Sequence, residues 1–129
     1  MTGHDTTPRI CVVDDDAAVG RAVATLLDAC GHACRVFDSG EALLAWPRLA
    51  EFELGVFDVD LPGIDGFALR AQLALLRPHL PLIYITGLTD PGIHLRAQAA
   101  GALALLPKPL DPDALLAQVE RALTPGAPA

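Results

Sequence analysis

Five short, mostly apolar runs recur at nearly even intervals along this chain, and each gap between them is long enough to hold a helix. The runs are Ile10–Val13 and residues 33–37, 54–57, 82–85 and 102–106. Apart from Arg35 in the second, they do not alternate between apolar and polar, which is how a strand reads when both of its faces are covered. Strands separated by helices pair in parallel, because a hairpin needs only a tight turn whereas a parallel neighbour needs a crossover, and such crossovers are right-handed. The pattern therefore predicts an α/β fold: a doubly wound, flavodoxin-like five-stranded parallel sheet of strand order 2-1-3-4-5, with five helices on both faces.

The gaps carry helix signals. Ala17–Ala29 sets Val19, Val23, Leu26 and Leu27 at helical spacing, and Gly31 follows as a stop. Residues 41–46 follow Ser39 as an N-cap and are limited by Pro47, and residues 67–76 are closed by Pro78. The fourth and fifth helices open with Asp90-Pro91 and Asp111-Pro112, a capping carboxylate before a proline suited to the first turn. They are expected to run to about Ala100, before Gly101, and to about Leu123. Residues 1–8 read as a flexible lead, 9–123 as one domain, and 124–129, with Pro-Gly-Ala-Pro, as a disordered tail or linker stub.

A chain of 129 residues, 52% apolar and 19% charged, suits one core. Its net charge of −7, with nine Lys and Arg scattered singly, offers no stripe to neutralise a run of phosphates, so direct nucleic-acid binding is not expected. The polar N-terminus lacks a signal-peptide core, and no run approaches the ~20 apolar residues of a membrane span; the expectation is a cytoplasmic protein with no membrane partner. Cys11, Cys30 and Cys34, odd in number and inside apolar segments, read as buried thiols in a reducing compartment rather than as a disulfide framework. Zinc on Cys30 and Cys34 is a weaker alternative, lacking a second ligand pair.

In doubly wound folds ligands lie beyond the carboxyl ends of the strands. Those positions hold Asp14, Asp15 and Asp16 after the first run, Asp58 after the third, Thr86 after the fourth and Lys108 after the fifth. Asp38 and Ser39, after the second, read as ordinary helix-start residues. Carboxylates brought within ~4 Å of one another repel by about 1 to 4 kcal/mol per pair. A hard divalent ion such as Mg²⁺ offsets that, and Lys108 can neutralise more charge or hold a phosphoryl oxygen beside the Thr86 hydroxyl. This set suits phosphoryl transfer with a carboxylate nucleophile. Plainer readings stand beside it: Asp14–Asp16 as a dipole-favoured helix entry, and 58–66 as a turn-rich loop with Pro62-Gly63 and Asp65-Gly66 as turn dipeptides.

Five motifs in this order resemble the response-regulator receiver domain over about residues 9–123: 12–16 (Val-Val-Asp-Asp-Asp), 57–66 (Phe-Asp-Val-Asp-Leu-Pro-Gly-Ile-Asp-Gly), Ile85-Thr86-Gly87, Gly101-Ala102 and Pro107-Lys108-Pro109. The resemblance implies that Asp58 accepts a phosphoryl group from a sensor histidine kinase or phosphotransfer protein. It also implies Mg²⁺ held by Asp15 and Asp58 directly, by Asp14 through water and by the backbone carbonyl of Asp60. Thr86 and Lys108 would bind phosphoryl oxygens, with the Lys108–Pro109 peptide cis. The implied output is a downstream effector protein or effector domain, or a homodimer formed on phosphorylation, engaged through the face of the fourth helix, fifth strand and fifth helix.

Two positions depart from the family pattern. Leu105 stands where a Phe or Tyr is usual, three residues before the lysine, and Asp60 adds a carboxylate beside the acceptor. Leu103 and Leu105 alternate with Ala102 and Ala104 and are expected to face the same side. Two other readings remain at this stage. One is a phosphohydrolase of the haloacid-dehalogenase type, from Asp58-Val59-Asp60. The other is a pseudo-receiver that binds partners without phosphorylation.

Overall fold

Each apolar run forms a strand in the computed structural model of the chain, which describes residues 8–87 and 90–123. The strands are β1 (Ile10–Val13), β2 (Cys34–Phe37), β3 (Leu54–Asp58), β4 (Leu82–Thr86) and β5 (Ala104–Pro107). They pair in parallel in the order β2-β1-β3-β4-β5. Between and after them run α1 (Ala17–Ala29), α2 (Gly40–Leu44), a 3-10 turn at Leu49–Glu51, α3 (Gly66–Leu73), α4 (Pro91–Ala99) and α5 (Pro112–Leu123).

Successive residues of a strand point to opposite faces, so each strand supplies two cores. Ile10, Val12, Val56, Ile83 and Ile85 meet Val23 and Leu27 of α1 and Leu115 and Val119 of α5. Cys11, Val13, Phe57 and Tyr84 meet Leu43 of α2, Phe67, Leu69 and Leu73 of α3, and Ile93 and Ala97 of α4. Burial on both faces is why β1, β3 and β4 read as unbroken apolar runs. Each fully buried Leu, Ile or Val contributes about 1.5–3 kcal/mol against the entropy of ordering the chain.

The helix ends follow their caps. Ser39 Oγ accepts from the Ala42 amide, as its N-cap reading required, and Asp90 Oδ1 accepts from the Gly92 amide. Gly31 (φ 86°) and Gly101 (φ 73°) end α1 and α4 in the left-handed conformation that glycine adopts without a Cβ penalty. In both, the next amide reaches back five residues: His32 N to Leu27 O, and Ala102 N to Ala97 O.

Three boundaries differ from expectation by two residues or more. α2 stops at Leu44 rather than 46, because Trp46 turns away to pack edge-on against Phe37 with the Arg35 guanidinium 4.0 Å from its ring centre. α3 stops at Leu73 rather than 76; beyond it Leu75 and Leu76 are solvent-facing. β5 starts at Ala104 rather than 102, because the Ala102 amide is taken by the end of α4. Strand alternation therefore does not extend back to Leu103. Leu105 packs with the α2–α3–α4 core and Leu103 with the α1–α5 core, so the expectation that the two share a side is corrected.

All three cysteines are free, and the buried reading holds for Cys11, in part for the half-buried Cys34, and is corrected for Cys30, which is exposed where it caps the end of α1. Among the described residues neither Cys30 nor Cys34 belongs to a cluster of three or more metal-ligating side chains. No described helix is long and apolar enough to cross a membrane. The expected flexible lead and the tail at 124–129 lie, except for Pro8, outside the described residues.

Candidate functional site

Sheet register brings the acidic residues together. Val13 is level with Phe57, so the residues that follow them, Asp14 and Asp58, leave adjacent strands side by side. Asp58 is level with Ile85, and Thr86 with Pro107, which sets Thr86 and Lys108 along the same edge. The Lys108 amide donates to Thr86 O at 2.8 Å, and the Lys108–Pro109 peptide is cis, as the resemblance implied.

Asp14, Asp58 and Thr86 are the buried polar residues among those described. The Lys108 ammonium lies between the two acids, donating to Asp58 Oδ2 at 3.0 Å and standing 3.3 Å from Asp14 Oδ2. The second contact pairs charges but is off the hydrogen-bonding direction, leaving Asp14 Oδ2 a buried acceptor with no hydrogen-bond partner among the described residues. The other oxygens are held from the backbone: Asp14 Oδ1 accepts from the Asp16 amide at 2.8 Å and Asp58 Oδ1 from the Asp60 amide at 3.0 Å.

Burial pushes the Asp14 carboxyl above its ordinary range, and the charge of Asp58 adds to this, against the lowering effects of the Asp16 amide and of Lys108. Burial works against the charged Lys108 ammonium, yet the hydrogen bond and charge of Asp58, with the charge of Asp14, hold its pKa above the usual lysine value. One ammonium thus serves two buried carboxylates.

Asp15, exposed, completes a cluster in which carboxylate oxygens of Asp14, Asp15 and Asp58 lie within 4.8 Å of one another. Three hard oxygen donors, one of them lacking a hydrogen bond, fit a cation such as Mg²⁺, which tolerates a few carboxylates with water completing its shell. Asp60 does not join the cluster through its side chain; the sequence assignment concerned its backbone carbonyl. Asp16 instead caps α1, accepting from the Ala18 and Val19 amides at 2.9 and 3.4 Å, so the helix-entry reading of the acidic run holds for Asp16 while Asp14 and Asp15 stand in the carboxylate cluster.

The loop after Asp58 is not a pair of free turns. Asp65 caps α3 through the Ala68 amide, and Gly66 begins that helix. A Cβ on Gly66 would lie 2.5 Å from Asp58 O and 3.0 Å from Val59 Cα, so only glycine lets α3 press on the acceptor strand. Two features escaped the sequence reading: the Asp60 amide, which has no side-chain signature, and the contact of Glu41 with this loop. Lys108 also borders an apolar groove of about 300 Å³ between α1 and the start of α5, lined by Val19, Ala22, Leu26, Pro109 and Leu110 among others.

A parallel five-stranded sheet with an acidic cluster and a lysine at its carboxyl edge defines a receiver-type phosphoacceptor domain. The chain belongs to the response regulator receiver domain family, whose model matches residues 10–120. It is 36% identical over 125 residues to the transcriptional regulatory protein FixJ of Bradyrhizobium diazoefficiens, covering 96% of this chain and 60% of FixJ. It is 35% identical over 115 residues to the DNA-binding transcriptional regulator NtrC of Salmonella typhimurium, covering 89% of this chain and 24% of NtrC. The chain thus spans less than two thirds of the length of these relatives.

Among solved structures, the BeF3-activated DrrB receiver domain matches with a TM-score of 0.80 at 33% identity, covering 88% of this chain and 95% of that one. The Vibrio cholerae chemotaxis protein CheY4 matches with a TM-score of 0.82 at 26% identity, covering 91% and 99%. Members of this family partner with histidine kinases and are signalling phosphoacceptors rather than turnover enzymes. Family membership replaces the dehalogenase-type alternative; here the Asp58-Val59-Asp60 sequence follows the third strand and spends the Asp60 amide on Asp58.

Proposed function

We propose that Asp58 is the phosphoacceptor of a two-component phosphorelay, taking its phosphoryl group from a sensor histidine kinase or phosphotransfer protein in the cytoplasm. The observation that carries this reading is the pairing of Lys108 Nζ with Asp58 Oδ2 beside the Asp14–Asp15 pair. A carboxylate oxygen of Asp58 forms the new bond to phosphorus as the P–N bond of the phosphohistidine breaks, and the electron pair leaves with the imidazole. Lys108 and the Asp60 amide, already directed at the Asp58 carboxylate, orient it and offset charge that builds on the transferring oxygens. Thr86 is the hydroxyl donor to the bound phosphoryl group. Asp15, Asp58 and the Asp60 carbonyl directly, and Asp14 through water, would hold Mg²⁺, which would supply positive charge to offset that of the anionic donor and acceptor.

The phosphoryl group brings about −1.5 to −2 charges to this edge. The reading assigns its output to the α4–β5–α5 face, through an effector protein, an effector domain or a second copy of the chain. Leu105 has no hydroxyl to favour an outward pose, which makes displacement of α4 the larger change. Incubation with a small phosphodonor and Mg²⁺ is expected to add one phosphoryl mass to the wild type and none to Asp58→Asn. Labelling of Asp58→Asn would refute the assignment. Asp15→Ala is expected to remain folded and unlabelled, and normal labelling of that variant in a chelator would remove the metal from the scheme.

A further inference from the structure

Glu41 stands in the first turn of α2, where an acid is favoured by the helix dipole alone and where its side chain would ordinarily point to water. Here it bends toward the β3–α3 loop. Its Oε2 accepts from the Ile64 amide at 3.3 Å, and a Cβ on Gly63 would lie 2.5 Å from the same oxygen. Gly63 has φ 71°, so the carboxylate lies against a turn whose backbone conformation and missing side chain both make room for it. Gly40, the preceding residue, sits where a Cβ would be 3.3 Å from Leu69 Cδ1, so the start of α2 lies close on α3, beside the loop that Glu41 reaches.

The loop is tied at its base as well: Gly66 N donates to Val59 O at 3.0 Å. Between base and tip lies Asp60, whose amide is the backbone donor on Asp58 Oδ1 and whose carbonyl the proposed function gives to the metal. Base and tip together fix where that peptide sits. We infer that Glu41 is a positioning residue for the phosphoacceptor site, holding the tip of the 59–66 loop from α2 so that the Asp60 peptide stays aligned on Asp58. Glu41 touches no reacting atom. The inference rests on the proposed function for its consequences and on the Glu41–Ile64 contact for its geometry.

The test compares Glu41→Ala, Glu41→Gln and Ser39→Ala, the last removing the α2 cap without touching the loop. Losing this exposed hydrogen bond to a charged group is expected to weaken Mg²⁺ binding and slow phosphorylation from a small donor by about three- to tenfold in Glu41→Ala. Glu41→Gln keeps an oxygen acceptor and should restore most of the loss, while Ser39→Ala should leave Mg²⁺ affinity at the wild-type value. Amide hydrogen exchange at Asp60 and Ile64 in metal-free protein reads the clasp without any chemistry at Asp58. Faster exchange at both in Glu41→Ala, slowed again in Glu41→Gln, supports the inference even if Asp58 proves not to be the acceptor. Unchanged exchange and Mg²⁺ affinity in Glu41→Ala overturn it, as does a Gln variant as impaired as the Ala one, which would assign the effect to charge.

Discussion

Asp14 carries more strain on its charge than its place in a helix entry would suggest. It is buried, shares one ammonium with Asp58, and keeps an oxygen without a hydrogen bond. Its carboxyl titrates above the ordinary range, first because of burial and then because of the charge on Asp58. A raised folded-state pKa means that the native protein binds the proton more tightly than the unfolded chain. The metal-free protein therefore keeps this contribution to stability below the unfolded carboxyl value of 3.8 and loses it as pH rises through the higher folded value. Asp14→Asn removes the charge while its amide oxygen can still accept from Asp16. In chelator at neutral pH this variant is expected to be more stable than wild type by about 1 kcal/mol, or about 4 °C in Tm for a domain of this size. It should also bind Mg²⁺ more weakly. Thermal melts in chelator at pH 4 and pH 7.5 check both the gain and its sign: the gain should shrink at the lower pH, and a variant less stable than wild type at pH 7.5 would mean that Lys108 alone balances the pair.

The elements that carry the site were legible where a pattern of side chains specifies them and obscure where backbone contacts do. β1, β3 and β4 read cleanly because apolar runs covered on both faces have few alternatives, and the strand-end residues followed from the runs. The start of β5 did not, since nothing in Ala102-Leu103 reveals that the first amide is claimed by the end of α4. Asp65-Gly66 read as a turn because the dipeptide is common there, yet Gly66 is helical, and its missing Cβ is what lets α3 approach Asp58. Helix propensity alone would make Gly66→Ala favourable by about 1 kcal/mol. The clash is with Asp58 O and Val59 Cα, backbone that cannot rotate away, so the sign reverses. Gly66→Ala is expected to cost about 1–3 kcal/mol by urea denaturation and to slow phosphorylation more than a distant substitution of equal cost. A stabilised Gly66→Ala would show that α3 can retreat from the acceptor strand without consequence.

At the scale of the whole molecule, the sheet that gathers the acids also hides ionisable groups in its two cores, and these decide how the fold responds to alkali. The place of Cys11 in an apolar run already pointed to a buried thiol, but how far burial shifts it, and that Tyr84 shares its core, depend on neighbours the run does not name. Cys11 lies in β1 with its thiol against Leu54 O, and burial pushes it from 9.0 to about 12. Burial likewise carries Cys34 to about 11 and Tyr84 to about 12, each above its ordinary value. All three must stay protonated in the folded state, whereas in the unfolded chain the thiols ionise near pH 9. Their contribution is complete below that value and is lost progressively as pH rises toward the folded-state values. A single buried group with such a shift lowers stability by about 1.4 kcal/mol per pH unit across this window. Urea denaturation of the metal-free protein at steps from pH 8 to pH 11 is therefore expected to show a decline that steepens above about pH 9. Cys11→Ala starts lower at pH 8 because of the volume it removes, but it should decline less steeply by about 1.4 kcal/mol per unit, so the two curves converge. Parallel curves would mean that the Cys11 thiol reaches solvent before global unfolding, and that the β1 core opens locally at a free energy well below that of the whole domain.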